Sequence, residues 1–244
     1  MVHKPHLWGK EDASKYDGWK HYFDKPRLEL FKAIGHPGSL MLDVGCGAGA
    51  TSVAIKKQYP QGKFYGVELN PNIATIASEK LDKVVVGNFE DIDYKAHDLK
   101  AGSFDTILFA DVLEHMYNPW KVLDRTKELL SNGGKVVASI PNISNLQSLD
   151  NLARGKWHYD DFGILDFTHI RFFTRKTILE MFAETGYEVL DIYGLPLDDQ
   201  LNPGFHLDVE NNLYTHCLSL KNITKRQLNN LRILQFVVTA TPKK

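Results

Sequence analysis

The stretch "LDVGCGAGA", Leu42 to Ala50, decides the fold. Its first half closes a short apolar run, "SLMLDV" (39–44), which predicts a buried strand. Its second half carries Gly45, Gly47 and Gly49 and runs directly into "ATSVAIKKQY" (50–59), which has helical spacing. A strand that turns through glycines into a helix brings bare backbone to a helix N-terminus, where a ligand can approach closely.

The same alternation extends in both directions. "KFYGVEL" (63–69) predicts a second strand, and "NPNIATIASEKL" (70–81) a helix opened by an Asn cap and a proline. "KVVVGN" (83–88) and "FDTILFA" (104–110) predict strands three and four, "NPWKVLDRTKELL" (118–130) a helix, and "GGKVVASIP" (133–141) strand five. Fully apolar strands alternating with helices predict a parallel sheet covered on both faces. Ligands of such sheets bind at the carboxyl ends of the strands, near the switch point. After strand five come a long aromatic and polar stretch (142–173), a capped helix "TRKTILEMFAETG" (174–186) and a strand "YEVLDIYGL" (187–195). A second long connection (196–230) precedes a last strand, "LRILQFVVTAT" (231–241). Residues 1–38 form a preface whose "YFDKPRLELFKAI" is read as a helical cap over the sheet edge.

Bulk properties narrow the field. The 244 residues suffice for one large domain, and the apolar (43%) and charged (24%) fractions are ordinary for a globular chain. Lys plus Arg is 29 against 30 Asp plus Glu, a net charge of −1, so a broad nucleic-acid footprint is not expected. Two cysteines, Cys46 and Cys217, are too few for a disulfide framework or a cysteine-based zinc site. No secretory h-region opens the sequence and no apolar run is long enough to span a bilayer, so a reduced, cytoplasmic setting is expected.

The glycine loop alone admits two readings. With Ala50 in the last place it fits the dinucleotide fingerprint, and Glu68 ends strand two where a ribose-binding acid belongs. Two features point elsewhere. Asp43, two residues before the first glycine, suits an ammonium group better than a pyrophosphate. The fourth strand also runs into a patterned loop, "ADVLEHMYNPW", at the same sheet edge.

Taken in order, "LDVGCGAGA", "GVELNP", "VVVGNFEDID", "FDTILFADVLEHMYNPWKVL" and "LLSNGGKVVASIPN" resemble the motifs of class I S-adenosylmethionine-dependent methyltransferases, over roughly residues 20–195. The resemblance implies an α/β, Rossmann-like, doubly wound seven-stranded sheet, mostly parallel with the last strand antiparallel. It implies a single domain, 39–244, with substrate-side insertions at 142–173 and 196–230. It implies S-adenosylmethionine as cofactor and S-adenosylhomocysteine as product. Gly45, Cys46, Gly47 and Gly49 would line the methionine end, Asp43 would hold the ammonium group, and Glu68 would accept both ribose hydroxyls. Leu69 would pack on the adenine, Asn88 and the Phe89 N–H would meet its edge, and Ala110 would offer a carbonyl near the methionine. Asn88 stands where the family often has Asp.

The stretch "DFGILDFTHIRFFT" (161–174) sets Asp166, His169 and Arg171 among aromatics. In this family the segment after strand five helps build the acceptor pocket. "ILDFTHIRFFT" is similar to a subgroup found with bacterial surface-glycan and small-metabolite genes, with Phe167 in place of the usual Arg. His169 and His115 are the candidate bases, with a bracing role for His169 and a loop-fixing role for His115 as the alternatives. Arg171, Tyr22, Trp157 and Asn142 are candidate acceptor contacts, and Tyr16 and Trp19 share the preface with Tyr22. His158, His206 and His216 show no metal-ligand spacing, and no metal is expected. The expected substrate is a small polar molecule, a sugar, nucleotide-sugar or phosphorylated metabolite of surface-polysaccharide biosynthesis, methylated on O or N. An aromatic hydroxyl or a non-catalytic, cofactor-binding partner subunit is the alternative. A monomer or homodimer is expected, with no nucleic-acid or membrane partner.

Overall fold

The computed structural model describes residues 24–196 and 204–243; Tyr16, Trp19 and Tyr22 lie outside them. Its centre is a seven-stranded sheet in the order β3-β2-β1-β4-β5-β10-β6. The strands are β1 (Leu40–Val44), β2 (Lys63–Glu68), β3 (Lys83–Val86), β4 (Phe104–Ala110), β5 (Leu130–Pro141), β6 (Tyr187–Pro196) and β10 (Ile233–Pro242). The first five run parallel, and β10 lies antiparallel between β5 and β6. The expected mixed, doubly wound α/β fold is the one observed.

Side-chain alternation along the strands builds two cores. Leu42, Val44, Ile107, Phe109, Val136 and Ala138 face one way, against Val122 and Leu123 of α4 (Pro119–Leu129) and Ile178, Met181 and Phe182 of α6 (Arg175–Glu184). Met41, Phe64, Leu108 and Val137 face the other way. They meet Ile34 of α1 (Phe31–Ile34), Ile55 of α2 (Ala50–Gln58) and Ala77 of α3 (Pro71–Ser78). Each fully buried side chain of this size contributes about 1.5–3 kcal/mol, so both faces are fixed by burial and a slip in strand register is strongly opposed.

The helix starts follow their cap chemistry. Asn70 accepts the Asn72 and Ile73 N–H groups at α3, Asn118 accepts that of Lys121 at α4, and Thr174 and Thr177 form a reciprocal box at α6. Of the preface, read as a helical cap, residues 24–38 are described. After Pro26 it makes one 3-10 turn (Leu28–Leu30) and then α1, which ends at Gly35 with φ +52°. Proline removes an N–H, and a left-handed glycine stops the helix after a single turn.

The two long connections hold more regular structure than their composition suggested. Residues 142–173 include α5 (Leu146–Ala153), capped by Asn145. Residues 204–231 include a small antiparallel sheet, β7 (His206–Leu207), β8 (Leu213–Tyr214) and β9 (Ser219–Leu220), and then α7 (Lys225–Leu231). Leu146, Leu213 and Ile223 join them in a third apolar cluster. The last strand therefore starts at Ile233, because Thr224 and Gln227 cap a helix over part of the segment read as strand.

Candidate active site

The sheet order reverses between β1 and β4, and the loops after these strands open at one edge. The loop after β1 runs through Gly45 (φ +67°), Gly47 (+53°) and Gly49 (+81°) into α2. A Cβ on Gly45 would lie 2.7 Å from Val112 Cγ2, so glycine there serves both the left-handed turn and the approach of the fourth-strand loop. Cys46 is buried, and its sulfur occupies the space beside Gly66 on β2, where a Cβ would stand 2.5 Å from it.

Two carboxylates hold this edge. Asp43 is buried and accepts the Ser52 hydroxyl of α2 at 2.7 Å. Burial pushes its pKa up to about 7, opposed by the Ser52 bond. Glu68 is also buried, and it accepts the Gly47 N–H at 3.0 Å and the Asn70 N–H at 2.9 Å. Burial raises its pKa too, and the backbone bonds oppose the rise. Leu69, next in line, is exposed. The half-buried Asn88 uses its side chain in a local turn, donating to Asp91 and accepting from Glu90, so its amide is committed to the loop. The Phe89 ring is buried against Tyr94 and Phe109, which leaves only backbone for a ligand at that position. Ala110 ends β4 beside Ser139 of β5. The arrangement brings Asp43, the three glycines, Cys46, Glu68 and Ala110 to neighbouring strand ends, and it suits a ligand with a cationic end and a hydroxylated ring.

A second site lies beyond β4. A cavity of about 200 Å³ is lined by Asp111, Glu114, Pro141, Phe162, Gly163, Ile164, Asp166, His169, Leu234 and Gln235. The turn "DFTH" shapes one wall. Asp166 accepts the Thr168 N–H at 2.8 Å and its hydroxyl at 2.6 Å, an Asx-type turn that aims His169 inward. His169 Nδ1 lies 2.9 Å from the Ile164 carbonyl, which only accepts, so Nδ1 donates and the lone pair sits on Nε2. Nε2 faces Glu114 Oε1 at 3.8 Å. The His115 ring meets that of His169 edge-on at 4.6 Å, and its Nδ1 lies 3.2 Å from the Thr168 carbonyl.

Sequence reading passed over Glu114. It is almost fully buried, and neither carboxyl oxygen has a hydrogen-bond partner among the described residues. Burial raises its pKa to about 8, while burial lowers that of His115 to about 4 and that of His169 below the usual value. The signal was present, since an acid directly before His115 in a loop at the ligand edge is a candidate in its own right. Arg27 and Gln235 were passed over as well. Arg27 pairs with Asp111, and its guanidinium donates to Gln235 at 2.8 Å.

The other expected acceptor contacts sit apart from the cavity lining. Arg171 is exposed and donates to the Tyr117 carbonyl. Trp157 packs edge-on against Phe172 at 5.5 Å. Asn142 is buried, donating to the Asn230 and Ile233 carbonyls and accepting from Ser144, so it braces the start of the insertion.

Comparison with known proteins gives the family. The sequence model of a methyltransferase domain matches residues 16–192. The chain belongs to the S-adenosylmethionine-dependent methyltransferases. This methyltransferase is 28% identical over 183 residues to an uncharacterized protein of Methanocaldococcus jannaschii, covering 72% of this chain and 78% of that one. It is 29% identical over 159 residues to the ubiquinone biosynthesis O-methyltransferase of Xanthomonas axonopodis, covering 58% of this chain and 64% of that enzyme's length. A methyltransferase of Archaeoglobus fulgidus superposes with a TM-score of 0.63 at 17% identity, covering 94% and 99% of the two chains. One of Aquifex aeolicus does so with 0.57 at 16%, covering 95% and 98%. S-adenosylmethionine is accordingly the cofactor. Among the described residues, no helix is long and apolar enough to cross a membrane.

Proposed function

We propose that this methyltransferase acts on a hydroxyl oxygen of a small, uncharged acceptor seated in the cavity beside β4. The observation that carries the reading is the lining: three carboxyl groups (Asp111, Glu114, Asp166), His169 and Gln235, together with the apolar Phe162, Ile164 and Leu234. Carboxyl groups, ionised or not, hydrogen-bond well with hydroxyl groups. Arg171, the cation expected to hold a phosphate or acid, caps the Tyr117 carbonyl instead. A sugar fits this lining, with hydroxyls toward the carboxylates and its apolar face toward Phe162. A phenol fits too, and the O-methyltransferase activity named for the Xanthomonas relative favours it as the second reading.

S-adenosylmethionine, when bound, supplies a methyl group electrophilic enough for in-line displacement. The chain's part is alignment and proton removal. Asp43 and Glu68 fix the two ends of the cofactor, and the cavity walls present the acceptor oxygen. Such positioning supplies up to about 7–11 kcal/mol of the barrier. The acceptor's hydroxyl proton would leave toward the Glu114–His115–His169 cluster. Removal by such a group is worth about 10²–10⁴-fold.

The test is formation of S-adenosylhomocysteine with panels of neutral sugars, phenols and phosphorylated sugars, using wild type and His169→Ala. Turnover on a neutral hydroxyl, with kcat cut in the variant and cofactor affinity kept, supports the reading. Turnover confined to phosphorylated acceptors overturns it.

A further inference from the structure

Glu114, His115 and His169 each present a ligand atom within 4.8 Å of the other two. The Glu114 carboxyl group is buried with no hydrogen bond to either oxygen among the described residues, a costly state that a cation at this point would relieve. Both imidazoles are held from behind by carbonyl oxygens on Nδ1, Ile164 for His169 at 2.9 Å and Thr168 for His115 at 3.2 Å. Such outer bonds fix the tautomer and ring orientation of metal-binding histidines, and His169 Nε2 faces Glu114 Oε1 at 3.8 Å.

We propose that Glu114, His115 and His169 form a binding site for a divalent first-row transition cation, open toward the acceptor cavity. Two imidazoles and one carboxylate select zinc-like ions over magnesium or calcium, which take oxygen ligands. Bonds of about 2.0–2.2 Å require the three side chains to close by roughly 1–1.5 Å, a rotamer-scale movement. His169 and Glu114 line the cavity, so a cation held there would adjoin the proposed acceptor position. The site was not legible from ligand spacing, because Glu114 and His115 follow β4 while His169 comes from the turn in the insertion.

The cation site shares the cavity of the proposed O-methylation but is measured without cofactor or acceptor, so either reading can fail alone. Tag-free full-length protein is dialysed against Zn²⁺ or Co²⁺, with Mg²⁺ as the control. Expected are one Zn²⁺ or Co²⁺ per chain, a visible Co²⁺ spectrum, and at least about tenfold weaker binding in Glu114→Gln, His115→Ala and His169→Ala. S-adenosylmethionine affinity reports that each variant is folded. A wild-type protein that retains no stoichiometric ion overturns the site, as does retention unaltered in folded variants.

Discussion

Glu68 reaches from the end of β2 to the Gly47 N–H at 3.0 Å, so the second strand itself holds the loop that follows the first. The same carboxylate takes the Asn70 N–H at 2.9 Å. The residue assigned to the ribose is thus also the clasp of the glycine loop. Glu68→Gln keeps the shape but replaces one acceptor oxygen with a donor. Charge-assisted hydrogen bonds are worth about 1.5–3 kcal/mol, so S-adenosylmethionine and S-adenosylhomocysteine should bind about 10–100-fold more weakly by calorimetry. Unaltered affinity would remove Glu68 from the cofactor site.

Asp43 makes cofactor binding pH-dependent. Its pKa in the folded protein is raised to about 7 by burial, and a cationic ligand prefers its ionised form. Affinity for S-adenosylhomocysteine should rise as pH increases through about 6 to 7.5, at up to about tenfold per unit, and Asp43→Asn should flatten the profile. A flat wild-type profile contradicts the role.

Stability should run the other way. The folded-state pKa values of Asp43 (about 7) and Glu114 (about 8) lie above their unfolded values, so the folded chain binds more protons between about pH 4 and 8. Their contribution is complete below the unfolded pKa and is lost as pH rises through the folded one. Urea midpoints of Asp43→Asn and Glu114→Gln should therefore decline less steeply across that window than the wild type's.

Gly45→Ala should destabilise the fold. A left-handed residue with a Cβ costs roughly 1–2 kcal/mol, and the 2.7 Å approach to Val112 adds to it. A loss of about 3–8 °C in Tm is expected, recovered in part by pairing the change with Val112→Ala. If the second substitution recovers nothing, the close approach is not what constrains the loop.

Arg27→Met should cost about 1.5–3 kcal/mol in urea unfolding. It strips Asp111 of its ion pair and Gln235 of a donor, at the point where the preface meets β4 and β10. Arg27→Lys should restore part of the loss, since an ammonium keeps the charge but not the fork. An unaltered midpoint in Arg27→Met would show that the pair adds nothing.

The central sheet was legible because its inner parallel strands β1 and β4 are largely apolar and several helices carry their own cap, such as Asn70 or Thr174. Those signals are local. The placement of Asp43 and Glu68 was legible by position, since each lies at the carboxyl end of a strand. The partner of Arg171 was not legible because a sequence shows a charge but not its target, here a backbone carbonyl fifty-four residues away. Glu114 was overlooked for a related reason. Its meaning comes from what surrounds it, two imidazoles and no hydrogen-bond donor among the described residues. The small sheet β7–β9 escaped because two-residue strands carry no readable period.

The placement of β10 between β5 and β6 bears on how the chain is made. During synthesis β5 and β6 emerge well before the strand that joins them, and each waits with an unpaired edge. Until residues 233–242 are out of the ribosome, β6 has no place in the sheet. β5 meanwhile offers Val136 to Ile140 as a bare apolar template for other chains. Interrupted synthesis or a nick before Ile233 should therefore yield aggregates in place of a shortened enzyme, even though the cofactor-binding strands are already complete.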